Sequence, residues 1–317
     1  MAKTRCTVVV PFLNEARSLA ALGPQLAKVL DGEDLEWEVI LVDDGSTDES
    51  FEEARKLHDA DARFKCLRFA RNFGSHVAIS AGLEHARGDV AIVTMADLEE
   101  PPESFPALLA MWREGHHLVW GIRKRRDLKG LNRLGSKLYH RVFGWLADMK
   151  PGQDEIGGGL FIADRRVLDA VRRFPERNRN IIGLLLWAGF KQGRLEYEPR
   201  TRKFGKSKWT FAKKVKLALD TFVGFSSRPL RALLLGGIAA SGLGLAGVAV
   251  AIALAVIDPK LALAAAITGG VSALFLCIGT PLVATGLLGE YLWRALDEGR
   301  GRPLYVVMDR LGVDDAK

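Results

Sequence analysis

Two stretches of the chain, Ala232 to Ile257 and Leu261 to Gly289, contain no charged residue. As a helix rising ~1.5 Å per residue the first alone would extend about 39 Å, more than the ~30 Å hydrocarbon core of a bilayer. A buried core helix is the competing reading, but such helices usually run to about half this length. The pair is therefore expected to cross a membrane twice, over about 232–257 and 261–288, with only Asp258, Pro259 and Lys260 between. Arg228 and Arg231 precede the pair, and Arg294, Arg300 and Arg302 follow it. That asymmetry puts both flanks in the cytoplasm. Met1 to Val10 lacks the long apolar run of a signal peptide, so the preceding domain is expected to lie on the cytoplasmic side of the inner membrane.

The net charge of +7 invites a nucleic-acid reading, yet the basic residues crowd into Arg200 to Lys216 and the segments flanking the spans. Anionic headgroups and phosphates would sit there, so membrane lipid is the expected partner and nucleic acid is not. Lys206 to Phe225 mixes lysines with Trp209, Phe211, Phe222 and Phe225, as amphipathic helices lying in a membrane interface do; a solvated helix packed on the sheet is the alternative. Gly236, Ala240 and Gly244 give the first span a small-residue face that permits close helix packing, so a homo-oligomer is expected. Cys6, Cys66 and Cys277 show no paired spacing and read as free thiols.

The first 205 residues alternate. Strand-like apolar runs at 6–12, 37–42, 65–69, 89–94 and 117–122 are interleaved with helix-like stretches at 15–30, 48–58, 75–86 and 103–113. That pattern predicts a doubly wound, parallel α/β sheet, with a further short strand at 160–163. The expected organisation is an α/β domain over 1–205, juxtamembrane helices over 206–230, the spans within 231–290 and a cytoplasmic tail over 291–317.

Ligands of such sheets bind beyond the carboxyl ends of the strands. Here those ends carry Pro11, Asn14 and Glu15; Asp43, Asp44, Gly45 and Ser46; Asn72, Gly74 and His76; and Asp97 with Glu99. Carboxylates, a glycine turn and hydroxyls suit a nucleotide's base, ribose and diphosphate. Ser46 and Glu49 have capping-box spacing for the next helix. Asp97 and Glu99, two apart in an extended segment, would aim oxygens to one side, as suits a hard Mg²⁺ or Mn²⁺ on phosphates. Arg123 to Arg126 after the fifth strand are a candidate diphosphate contact or a solvated charge run. His76 either lines the nucleotide pocket or packs against its helix.

The series Val9-Val10-Pro11…Asn14-Glu15, Val42-Asp43-Asp44-Gly45-Ser46, Arg71-Asn72-Phe73-Gly74 and Ala96-Asp97-Leu98-Glu99-Glu100-Pro101-Pro102-Glu103 resembles that of the family 2 glycosyltransferases. Arg202…Phe204-Gly205-Lys206-Ser207-Lys208, Ser226…Pro229-Leu230-Arg231 and Gly289-Glu290-Tyr291-Leu292…Arg302-Pro303 extend the resemblance to the polyprenyl-phosphate branch over nearly the whole chain. It implies a GT-A type fold and inverting transfer of a hexose from a UDP- or GDP-sugar to a polyprenyl phosphate, aided by Mg²⁺ or Mn²⁺. Asp97 would hold the metal. Arg202, Lys206 and Lys208 would gather the acceptor phosphate, with Arg200 beside them.

Two departures stand out. In the family's Asp-x-Asp-x-Gln element Met95 occupies the first Asp position and Glu99 that of the Gln, so Glu99 offers a replacement charge. Many relatives carry Gly-Asp-Phe-Arg where this chain has Gly158-Gly159-Leu160-Phe161. A phosphate acceptor tolerates that loss: with a second pKa near ~6 it is mostly dianionic at neutral pH and needs no strong base. The competing readings are a degenerate membrane scaffold that binds nucleotide-sugar or lipid, and a processive polysaccharide synthase, whose Gln-x-x-Arg-Trp motif is absent.

Overall fold

The computed structural model describes residues 3–124, 159–174, 176, 180–201 and 262–314. Their chain forms β1 (Thr4–Phe12), α1 (Ala16–Asp31), β2 (Leu35–Asp43), α2 (Ser50–Ala60), β3 (Phe64–Phe69), α3 (Ser75–His85), β4 (Val90–Val93), α4 (Phe105–Arg113), β5 (Leu118–Arg123), β6 (Phe161–Asp164), α5 (Arg165–Arg172), α6 (Ile181–Trp187), β7 (Gln192–Tyr197), α7 (Ala262–Gly299) and β8 (Val307–Leu311). The sheet order is β7-β5-β6-β4-β1-β2-β3-β8.

Apolar runs at the centre of the chain's first third become the centre of the sheet, because strands buried on both faces must be apolar at every position. Val8 and Val10 of β1 face a core with α1, α2 and α4, through Leu19, Leu22, Leu26, Phe51, Leu108 and Leu109. Val9 faces the other way, into a core with α3, α5 and α6, through Ile79, Leu83, Val167, Leu168 and Leu185. The result is three layers, helices on both faces of one sheet.

The sheet is mixed rather than parallel throughout. β1 pairs in parallel with β2 and β4, β2 with β3, and β5 with β7. β6 is inserted antiparallel between β4 and β5, and β8 closes the far edge antiparallel to β3. β8 comes from the stretch expected to be a tail. It is held by Ala70 N–H on the Val306 carbonyl at 2.9 Å, by Tyr305 stacked on Phe69 at 4.9 Å and by the Tyr305 hydroxyl on Glu84 at 2.9 Å.

The chain divides into two compact units, one of Met1–Arg141, Lys150–Lys214 and Arg302–Lys317, the other of Val142–Met149 and Val215–Gly301. The second uncharged run forms most of α7, a helix of 38 residues whose Leu263, Ile267, Leu274, Leu288, Leu292 and Leu296 are exposed. Among the described residues alone no helix is long and apolar enough to cross a membrane; much of α7's side-chain complement lies outside them, while its sequence is uncharged from Ala262 to Gly289. The first run and the amphipathic 206–225 stretch, with Gly236, Ala240 and Gly244, lie outside the described residues.

Candidate functional site

The carboxyl ends of β1, β2 and β3 are laced together by short polar side chains. Asp43 closes β2 by accepting from Ser46 N–H at 2.7 Å. Ser46 Oγ in turn accepts from Asn14 N–H at 2.9 Å, and Asn14 Oδ1 accepts from Thr47 N–H at 2.7 Å. Glu15 N–H donates to Ser50 Oγ at 2.7 Å. The expected capping box is therefore not formed: α2 begins at Ser50 after Glu49, and the Ser46 hydroxyl is spent across loops. Asp44 accepts from Phe73 N–H at 2.7 Å and from Gly74 N–H at 3.0 and 3.1 Å, pinning the β3–α3 loop. Gly45, at φ +74, lies so close to that loop that a Cβ would stand 2.5 Å from the Arg71 carbonyl carbon.

These contacts revise two expectations. Asp43 and Asp44 are buried, and their carboxylates hold backbone turns at the strand ends. Burial pushes the Asp43 carboxyl above its ordinary value, opposed by the Ser46 hydrogen bonds and the nearby Arg68 charge. Pro11 is buried at the end of β1, Asn72 is exposed on its loop, and His76 sits half-buried in the first turn of α3.

The second cluster lies beyond β4 and β5. The segment after β4 is turned, not extended: Asp97 Oδ1 accepts from Glu99 N–H at 3.2 Å, and Leu98 between them has φ +63. Such a conformation is costly for leucine and is held here by its complete burial in the core. Asp97 and Glu99 are both partly exposed at this turn. Glu99 does not stand free for a metal, because its carboxylate meets Arg123 Nη1 at 2.7 Å. Arg123 Nη2 meets Glu100, fully buried, at 2.6 Å.

Tyr197 completes this cluster. Arg123 Nε donates to its hydroxyl at 3.1 Å, and the hydroxyl donates to Glu100 Oε1 at 3.3 Å. Burial pushes the Glu100 carboxyl up against the pull of Arg123. Burial works against the Arg123 charge too, but Glu100 and Tyr197 outweigh it and keep the guanidinium protonated. Arg200, expected beside the acceptor phosphate, meets Glu103 at 2.8 Å and Gln25 at 3.0 Å in this arrangement. Arg202, Lys206 and Lys208 lie outside the described residues.

Sequence reasoning missed Glu100 and Tyr197. Gly159, noted only as a departure, is where Glu100 fits: a Cβ there would stand 2.6 Å from Glu100 Oε1. At these strand ends Thr94 Oγ1 and Glu100 Oε2 are buried without a hydrogen-bond partner among the described residues, and Asp43 Oδ2 has the Arg68 guanidinium 3.6 Å away. Buried polar atoms are rarely left so, and His117 Nδ1 and Arg172 Nε share the condition elsewhere in the described chain. No group of three or more His, Cys, Asp or Glu side chains gathers among the described residues. A cation that takes one or two carboxylates plus its ligand's phosphates, as Mg²⁺ does, fits Asp97, with Glu99 joining only on leaving Arg123; an all-protein cage does not fit. A groove of about 420 Å³ lined by Trp37, Glu38, Arg63 and Lys65 lies at the opposite, amino ends of the strands. Its cations are paired, Arg63 with Asp31 and Asp61 and Lys65 with Glu38, and it lies away from the strand ends where ligands of such sheets bind.

Residues 7–168 match the model of glycosyl transferase family 2. An uncharacterized glycosyltransferase of Bacillus subtilis, YkcC, is 33% identical over 98% of this chain and 95% of its own. The undecaprenyl-phosphate 4-deoxy-4-formamido-L-arabinose transferase of Proteus mirabilis is 32% identical over 98% of this chain and 94% of its own. A crystal structure of a mycobacterial protein superposes with a TM-score of 0.50 at 20% identity, covering 69% of this chain and 73% of that one, and so shares the fold.

Proposed function

The chain belongs to glycosyl transferase family 2, and on that footing we propose that it transfers a hexose from a UDP- or GDP-sugar to a polyprenyl phosphate at the cytoplasmic face of the membrane, with inversion. The observation that carries this reading is the likeness to the Proteus undecaprenyl-phosphate transferase along 98% of the chain, which takes in the segments after the sheet as well as the sheet itself.

The reaction asks for little acid–base chemistry. An oxygen of the acceptor phosphate attacks the anomeric carbon, the new C–O bond forms on the face opposite the departing diphosphate, and the old anomeric C–O bond breaks with its electrons on the nucleoside diphosphate. The acceptor is already mostly dianionic, so positioning and charge compensation suffice. The loops of Asn14, Asp44 to Ser46 and Asn72 to His76 would seat the nucleoside. Asp97, with Glu99, would hold Mg²⁺ or Mn²⁺, which when bound supplies charge neutralisation of the leaving diphosphate. Arg123 would add a guanidinium on the same diphosphate, and Arg202, Lys206 and Lys208 would hold the acceptor phosphate.

The sheet also bears on topology. β8 joins the same sheet as β1 to β3, yet follows the two uncharged runs in sequence. A chain that leaves this domain after Lys214 and returns by Arg302 and that enters a bilayer must cross it an even number of times, as the hairpin of two spans read from the uncharged runs, about 232–257 and 261–288, would do. The exposed leucines of α7 suit contact with lipid.

The test is transfer of radiolabelled sugar by the purified full chain into organic-extractable undecaprenyl phosphate, from UDP- and GDP-hexoses and a donor carrying the relative's formamido-arabinose, with Mg²⁺, Mn²⁺ or EDTA. Label in the lipid phase from one donor, lost in EDTA and cut at least ~10-fold by Asp97→Asn, is expected. Nucleotide binding without transfer to lipid would instead favour the scaffold reading.

A further inference from the structure

Arg123 is held by two carboxylates of opposite character. Glu100 is fully buried, and its Oε1 receives both Arg123 Nη2 at 2.6 Å and the Tyr197 hydroxyl at 3.3 Å. Tyr197 is fixed in turn, since its carbonyl accepts from Lys124 N–H at 2.8 Å where β5 and β7 end side by side. Glu99 is 23% exposed at its side chain and meets Arg123 Nη1 at 2.7 Å.

The two contacts differ in how readily they break. An exposed ion pair adds little net free energy, whereas removing one partner of a buried pair strands the other charge away from water. An arriving polyanion can therefore take Nη1 from Glu99, while Nη2 stays on Glu100. Glycine at 159 leaves room for Glu100: a Cβ there would stand 2.6 Å from Glu100 Oε1 and 3.2 Å from its Cδ, and the carboxylate would have to shift.

We propose that Glu100 is the positioning residue of the site, anchoring one edge of Arg123 from beneath Gly159 so that the other edge exchanges from Glu99 to the donor's diphosphate. The exchange releases the Glu99 carboxylate toward the cation that accompanies the diphosphate. This rests on the donor reading above and names how the empty and loaded states of that site differ.

Calorimetric titration of the full chain with UDP and with GDP, in EDTA and again with Mn²⁺, separates the two ideas. In EDTA, Glu100→Gln is expected to weaken binding of the recognised nucleotide about tenfold, the worth of one charge-assisted contact that is no longer aimed. Glu99→Gln is expected to tighten it severalfold in EDTA, because the competitor for Nη1 has lost its charge, and to erase part of the gain brought by Mn²⁺. A purely structural role would give a loss in both variants. Glu100→Gln binding within about twofold of wild type, or Glu99→Gln binding more weakly than wild type in EDTA, overturns the proposal. Should Glu100→Gln fail to fold, the sign of the Glu99→Gln effect still decides. Wild-type protein that binds neither nucleotide sinks the donor reading, and this proposal with it.

Discussion

Replacing Gly45 by alanine tests how tightly the first three strand ends are joined. Gly45 has φ +74, where a residue with a Cβ pays about 1–2 kcal/mol. The added carbon would also stand 2.5 Å from the Arg71 carbonyl carbon, 2.8 Å from Asn72 N and 2.9 Å from Arg71 Cα, all backbone atoms. Ordinary contact needs ~3.5 Å or more, so the β2 and β3 loops must separate by about 1 Å. That movement pulls on the Asp44 hydrogen bonds to Phe73 and Gly74, and strain of this kind costs about 1–3 kcal/mol. The sum is ~2–5 kcal/mol, which for a domain of this size lowers the melting temperature by roughly 5–15 °C. Thermal unfolding of the full chain checks it, with nucleotide titration alongside because the proposed function gives the same loops the nucleoside. A melting temperature within about 2 °C of wild type would refute the claim that Gly45 is required by a close backbone approach.

Asp44→Ala is expected to cost about 2–4 kcal/mol by stranding the Phe73 and Gly74 amides, and Asp44→Asn about half as much, since its one remaining oxygen still accepts; urea midpoints that do not separate the two variants would contradict this. Glu38 is pushed up by burial, but hydrogen bonds from Lys65, Thr7 and the Arg87 amide outweigh that and leave its carboxyl below the ordinary value of 4.5. Its folded-state value being depressed, wild type should exceed Glu38→Gln by about 1–3 kcal/mol above that pH and lose the margin as the pH falls through the folded value. A margin independent of pH from neutral to strongly acid solution would count against it.

The parts of the fold that sequence made legible are those where one physical demand dominates. β1 to β5 are buried on both faces, so their apolar runs mark them to within a residue or two. β7, Gln-Gly-Arg-Leu-Glu-Tyr, and β8, Val-Met-Asp-Arg-Leu, lie at the sheet's two edges and carry charges on their open sides, so their composition does not set them apart from loops. β6 was legible as a strand, but its antiparallel direction was not, because direction depends on the path of the segment before it. In the site, the motif positions fell at strand ends as expected, while their duties shifted: Asp44 and Ser46 bind backbone, and Glu99 answers Arg123. Glu100 looked like one more acidic residue before Pro101. It is buried against the glycine at 159, far along the chain, and no local pattern carries that information.

β8 gives the order of synthesis a structural meaning. The strand that covers the outer edge of β3 is made only after both uncharged runs have left the ribosome. Until then the β3 edge is bare, with its peptide groups open to any extended chain nearby. Were one run to enter the membrane and the other not, residues 307–311 would emerge on the far side and could never reach that edge. On the proposed two-span reading, the finished sheet would record that the chain had come back to the side from which it started, and a wrongly threaded molecule would carry an unfinished edge by which it differed from a correct one.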